Sequence, residues 1–206
     1  MQKKYTGFII GGGILVILLI WISSSYNSLV KKQEKINQQW SEVQSTYQRR
    51  LDLIPNLVNV VKGVADFEQG TLEQIAEARA KALSGLSVTE LSGANYDKQE
   101  QLQNELAGSV NRLIIQVERY PTLKGTDAYA GLQTQLVGTE RRIKVARNDF
   151  NAAVADYNLK VRSFPANLVA GLFGFREQTG FQAAAGTEKA VEIKFGGHYC
   201  KSSTSI

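Results

Sequence analysis

Residues 8–22 read FIIGGGILVILLIWI, an apolar run without a single charge. With its small and hydroxyl flanks the uncharged stretch covers residues 6–25. About 20 residues at ~1.5 Å each span a hydrocarbon core of ~30 Å. Tyr5 stands at one edge, and Trp21 and Tyr26 at the other, where amphipathic rings prefer to sit. A small-x-small cleavage site would mark a removable signal peptide, but Ser-Ser-Ser-Tyr-Asn-Ser-Leu-Val follows. The run is therefore read as an uncleaved, single-pass transmembrane helix over residues 6–26, behind a short basic N-terminus, residues 1–5. Everything beyond it is expected to be held at a bilayer surface.

Outward from the run, the rest of the 206-residue chain suffices for one continuous core. Only Pro55, Pro121 and Pro165 interrupt long Ala/Leu/Gln/Glu/Lys/Arg-rich segments, and no period-two alternation is sustained, so the expected class is all-α. Nothing between Ser23 and Val30 breaks a helix, so the anchor continues into the first soluble helix. From there Ile36, Trp40, Val43, Tyr47, Leu51, Ile54, Val58, Val61 and Ala65 form a stripe at helical spacing. Pro55-Asn56 interrupts it and has two readings: a kink, which the unbroken phase favours, or a turn that starts a new helix. Segment lengths favour the turn. Helices over 27–53, 55–84, 95–119 and 126–164 would then form an elongated antiparallel four-helix bundle.

Residues 85–93 are turn-rich and form the clearest loop. Leu102, Leu106, Val110, Leu113, Val117 and Tyr120 mark the next helix, stopped by Pro121 and Gly125. Thr126 or Asp127 caps the longest one. Its stripe, Tyr129, Leu132, Leu136, Thr139, Ile143, Ala146, Phe150, Ala153 and Tyr157, alternates strictly by three and four, the seam of bundles and coiled coils. An apolar, glycine-broken segment follows over residues 165–195, then a polar tail, 196–206. In an up-down-up-down bundle, Phe164, Leu168, Leu172, Phe173 and Phe175 return to the membrane-proximal end. There they either enter the bilayer interface or close the bottom of the core.

Composition excludes more than it assigns. The net charge of +5 falls to 22 basic against 19 acidic residues once Lys3 and Lys4 are set aside, and the charges are interspersed. No nucleic-acid stripe is present. Basic residues flank the anchor almost equally, Lys3 and Lys4 against Lys31, Lys32 and Lys35, so charge does not orient it. The lone Cys200 forms no internal disulfide, and with His198 it offers two metal ligands where a site needs three or four. Neither a phosphate loop nor a nucleophile elbow occurs. The chain is read as a non-enzyme without cofactor or metal. Gly7, Gly11, Gly12 and Gly13 form a small-residue face on the anchor. Such a face supports helix association, although glycine is also ordinary in membrane helices. Arg79, Glu118, Glu140, Arg147 and Asn151 are expected to act as a structural polar seam, holding bundle register by interhelical ion pairs and hydrogen bonds; Lys144 and Arg147 lie one and two turns beyond Glu140.

The residues resemble those of the bacterial LemA family. The resemblance rests on Tyr26-Asn27-Ser28-Leu29-Val30, Trp40-Ser41-Glu42-Val43, and the run from Arg49 to Val58, RRLDLIPNLV. Val61-Lys62-Gly63, Glu77-Ala78-Arg79 and the run from Glu118 to Lys124, ERYPTLK, extend it. So do Leu132-Gln133, Thr139-Glu140, the run ARNDFN ending at Asn151, Tyr157-Asn158, Phe164-Pro165, Gly174-Phe175 and Phe195. Gly70 departs from the family, which usually carries a longer side chain there. The resemblance implies a single-pass protein of the bacterial cytoplasmic membrane, with its helical bundle usually drawn on the outer face and no established catalysis. Together these readings point to a scaffold that works by binding copies of itself and the lipid bilayer. The alternative is an adaptor that regulates another membrane protein, such as a protease or signalling protein.

Overall fold

The computed structural model describes residues 2–63, 68–86 and 93–181, with side chains described from residue 11 onward except at 93 and 94. Among the described residues the chain forms six helices and no strand: α1 (Gln2–Lys62), α2 (Gln69–Leu86), α3 (Gly93–Val117), α4 (Pro121–Lys124), α5 (Asp127–Arg162) and α6 (Ala166–Phe173). The expected all-α class holds. The apolar part of α1 is long and apolar enough to cross a membrane. At 61 residues the whole helix is ~90 Å long.

α1 and α5 form the spine and run antiparallel. Lys32 meets Asp156, Trp40 packs on Phe150, and Arg50 pairs with Glu140, so residue numbers fall on one helix as they rise on the other. α2 and α3 make an antiparallel hairpin tied by Lys81–Glu105 and laid against the far half of that spine. One core, around Leu51, Ile54, Leu57, Ile75, Leu106 and Leu113, lies under the hairpin. A second, around Leu29, Trp40, Tyr47, Phe150 and Tyr157, lies toward the apolar end.

Pro55 lies inside α1, where a turn into a new helix had been expected. A proline has no N–H, so the carbonyl four residues earlier, that of Leu51, loses its helical donor. Arg79 of α2 supplies a replacement: its Nε–H donates to the Leu51 oxygen at 2.9 Å. With that acceptor satisfied, Ile54, Leu57 and Val61 stay buried on the core side and the helix continues to Lys62. α2 accordingly begins at Gln69 instead of Pro55. Asn56 is an exposed residue within the same helix.

Past α3, Pro121 opens the short α4, and Thr126 caps α5 by accepting from the Tyr129 N–H at 3.3 Å. α6 ends at Gly174, whose φ of +76° is a left-handed conformation that favours glycine. The Phe175 N–H closes the cap on the Ala170 carbonyl at 2.9 Å. Residues 175–181 then leave helical geometry and climb back along α5.

Candidate functional site

The strongest concentration of polar chemistry lies in the middle of the spine. Arg50 is a cation with only 4% of its surface exposed. Its guanidinium donates to the Gln103 backbone carbonyl at 3.1 Å, to the Gln103 side-chain oxygen at 3.0 Å, and to the half-exposed carboxylate of Glu140. Two turns along α5, Arg147 pairs with Glu100 of α3 and stacks over the Phe181 ring at 4.5 Å. Three elements are thus joined by two ion pairs. Glu140 draws its partner from α1, and not from Lys144 or Arg147 of its own helix.

The other expected seam residues fall in different places. Arg79 serves the Leu51 carbonyl. Asn151 binds backbone: its Nδ2–H donates to the Phe181 carbonyl at 3.1 Å and its Oδ1 accepts from the Phe181 N–H at 2.9 Å. Asn158, two turns on, repeats the pattern with Gln178 at 2.8 and 2.9 Å. Glu118 lies outside the seam. It forms an exposed pair with Lys124 across the turn between α3 and α4.

Beside the seam a cleft of about 380 Å³ is lined by Tyr47, Arg50, Gln103, Lys144, Arg147 and Asn151, among others. The Tyr47 hydroxyl, the Arg50 Nε and the Gln103 Nε2 are buried there without a protein partner. Burial pushes the Tyr47 phenol up to about 12, against the opposing pull of Arg147 and Arg50. Burial also lifts Tyr96 to about 12. The cleft is rich in donors and holds one carboxylate, so it can accept water or a small acceptor group. It has no pair of groups suited to general acid–base work. Among the described residues no three His, Cys, Asp or Glu converge on a metal position. His198 and Cys200 lie outside the described residues.

Toward the apolar end, Trp40, Tyr96, Phe150 and Phe181 form a ring cluster with centroids 4.5 to 6.1 Å apart. Below it α6 buries Ala166, Val169 and Ala170 and leaves Phe164, Leu168, Leu172 and Phe173 exposed, with Phe175 half-covered. On α1, Gly11, Gly12 and Gly13 have open space around them, and Ile14 to Ile20 are exposed. Gly7 falls within α1 but outside the described side chains.

Sequence reasoning missed Arg50, Gln103, Glu100 and Asn158. A signal for the first two existed. Strict alternation through Tyr47 places Arg50, Ile54, Leu57 and Val61 on the α1 seam, and the same alternation on α3 runs Tyr96, Gln99, Gln103, Leu106 and Val110.

A long, apolar N-terminal helix that runs on into the core of a helical bundle defines a class: all-α bundle proteins with a candidate membrane helix at the N-terminus. The chain belongs to the LemA family, whose model matches residues 39–195. It is similar to the magnetosome protein MamQ 2 of Paramagnetospirillum magneticum, 26% identical over 186 residues, covering 82% of this chain and 68% of that protein. It is also similar to the protein LemA of Metamycoplasma hominis, 27% identical over 158 residues, covering 77% of this chain and 69% of that one. Neither name denotes an enzyme.

Proposed function

We propose that the protein is a non-catalytic scaffold of the bacterial cell envelope, anchored by one pass through the cytoplasmic membrane and assembled from copies of itself. The observation that carries this reading is the unbroken α1, whose exposed glycine-bearing segment continues directly into the buried stripe of the bundle. Helices that associate through small residues in a bilayer bring their backbones close. With no joint between anchor and bundle, such association also fixes how the bundles stand beside one another. The family resemblance supports placing the bundle on the outer face.

The test is the mass of the full-length protein, gently extracted and measured by light scattering on a sizing column. A discrete homo-oligomer, reduced in mass by Gly11→Leu with the bundle still folded, is the expected result. A monomer that retains a co-purifying protein overturns self-assembly and favours an adaptor. One feature speaks for that second reading. The opposite side of the α1–α5 spine is an open groove of about 850 Å³ that presents Glu42, Arg49, Asp52, Arg141, Arg142 and Asp149.

A further inference from the structure

α6 carries no charge and has two apolar faces. Ala166, Val169 and Ala170 face the bundle, while Leu168 and Leu172, one turn apart, point away with 62% and 76% of their surface exposed. Phe164 just before them is 80% exposed, and Phe173 is half exposed. Four large apolar side chains gathered within ten residues of a water-facing surface call for a cover.

The contacts of α6 with α1 identify that cover. The Tyr26 ring meets Phe173 at 5.0 Å and Phe175 at 5.6 Å, edge to face. On α1, residues 11–20 are exposed, Trp21 and Ile22 are partly covered, and Ser25 and Leu29 are buried. The folded bundle therefore reaches down α1 to Trp21, inside the uncharged stretch. The first charge above it is Lys31, ten residues or ~15 Å higher along the axis. α6 thus sits at the level where α1 passes from hydrocarbon to water. Charged groups border it: Lys160 and Arg162 close α5 just before it, Arg176 follows it, and Glu177 beside Arg176 pairs with Arg162 at 3.8 Å. An uncharged apolar face flanked at both ends by charged, mainly basic, side chains fits a helix lying in the plane of a membrane surface.

We propose that α6 is a second membrane contact, with Phe164, Leu168, Leu172 and Phe173 set among the lipids of the same bilayer that α1 crosses. The proposal rests on the reading of α1 as a membrane anchor. A single helix leaves a bundle free to lean and turn about its anchor; a second contact off the axis fixes which side faces the surface. Every copy in one membrane then presents the same flank to its neighbours.

The test uses full-length protein carrying Cys200→Ser, reconstituted in vesicles of phosphatidylcholine and phosphatidylglycerol. A fluorophore is attached at Leu172→Cys, at Ile17→Cys or at Ser45→Cys, the last an exposed spine position well above the membrane. Quenching is measured with lipid nitroxides and with aqueous iodide. The expected result is a several-fold larger loss of fluorescence to shallow lipid nitroxides at 172 than at 45, with 17 quenched by deep ones. Iodide quenching at 172 equal to that at 45, with 17 still in lipid, overturns the α6 contact and leaves the anchor intact. Protection of 172 from both quenchers overturns it too, since protein then covers the patch. Iodide access at 17 overturns the anchor reading, and the proposal falls with it.

Discussion

Arg79 donates its Nε–H to the carbonyl of Leu51, the acceptor that Pro55 leaves without a helical donor. A side chain on α2 thereby completes the hydrogen bonding of α1. The same contact docks the hairpin on the spine and lets the proline stand inside a helix.

Arg79→Met should destabilise the bundle by about 1–2 kcal/mol, because it leaves a partly buried carbonyl unpaired. Pro55→Ala restores the N–H that Leu51 lacks. In that background the cost of Arg79→Met should shrink, and a double-mutant cycle from urea melts measures the coupling. Equal costs in both backgrounds would show that Arg79 acts elsewhere.

Among the described residues Glu140 is the only carboxylate that reaches the buried Arg50, and Glu140→Gln removes it. Because the Glu140 side chain is half exposed, the expected loss is moderate, about 1–2 kcal/mol. The exposed Glu118–Lys124 pair provides the contrast: Glu118→Gln should change stability by less than about 0.5 kcal/mol. Chemical melts of both variants check the difference.

Asn151 and Asn158 hold the returning chain by its backbone, so Asn151→Ala should lower amide-exchange protection at Phe181 while leaving Gln178 less affected. Asn151→Asp retains an acceptor and should restore part of the Phe181 N–H protection. Gly180→Ala should reproduce the loss, since a Cβ there would stand 2.5 Å from the Asn151 Oδ1.

Alkaline stability follows from the buried phenols. Tyr47 and Tyr96 are raised to about 12, above the ordinary 10.0, because burial penalises the phenolate. Below pH 10 both states of the protein keep these protons, and stability is flat with respect to them. Between about 10 and 12 the unfolded chain ionises first, so stability falls as pH rises. Tyr47→Phe should flatten that fall. It should also leave stability at pH 7 unchanged or improved, because the hydroxyl it removes is buried without a protein partner. Melts across pH 7–12 read both effects.

The long helices were legible because apolar residues at alternating three- and four-residue steps leave little freedom. On α5, every expected stripe residue from Leu136 to Tyr157 is buried. Polar residues at the same steps were passed over. Along α1 the expected stripe holds at Leu51, Ile54 and Val61, but it passes over the buried cation Arg50 and takes the half-buried Val58 in place of Leu57. Pro55 was misjudged because its rescue comes from Arg79, and local sequence does not show which distant donor reaches a freed carbonyl. The Asn151 side chain reaches Phe181, thirty positions on, through that residue's backbone N–H and carbonyl, which carry no side-chain signature.

Continuity of α1 also has a mechanical side. With α1 anchored as proposed, the 42 residues from Trp21 to Lys62 make a rod of ~60 Å standing off the bilayer. Membrane helices adjust to bilayer thickness by tilting, so a further ~10° of lean would carry the tip at Lys62 sideways by roughly 10 Å. A thinner or thicker bilayer would then be registered as a swing at the far end, with the helix acting as a pointer whose pivot lies in the lipid.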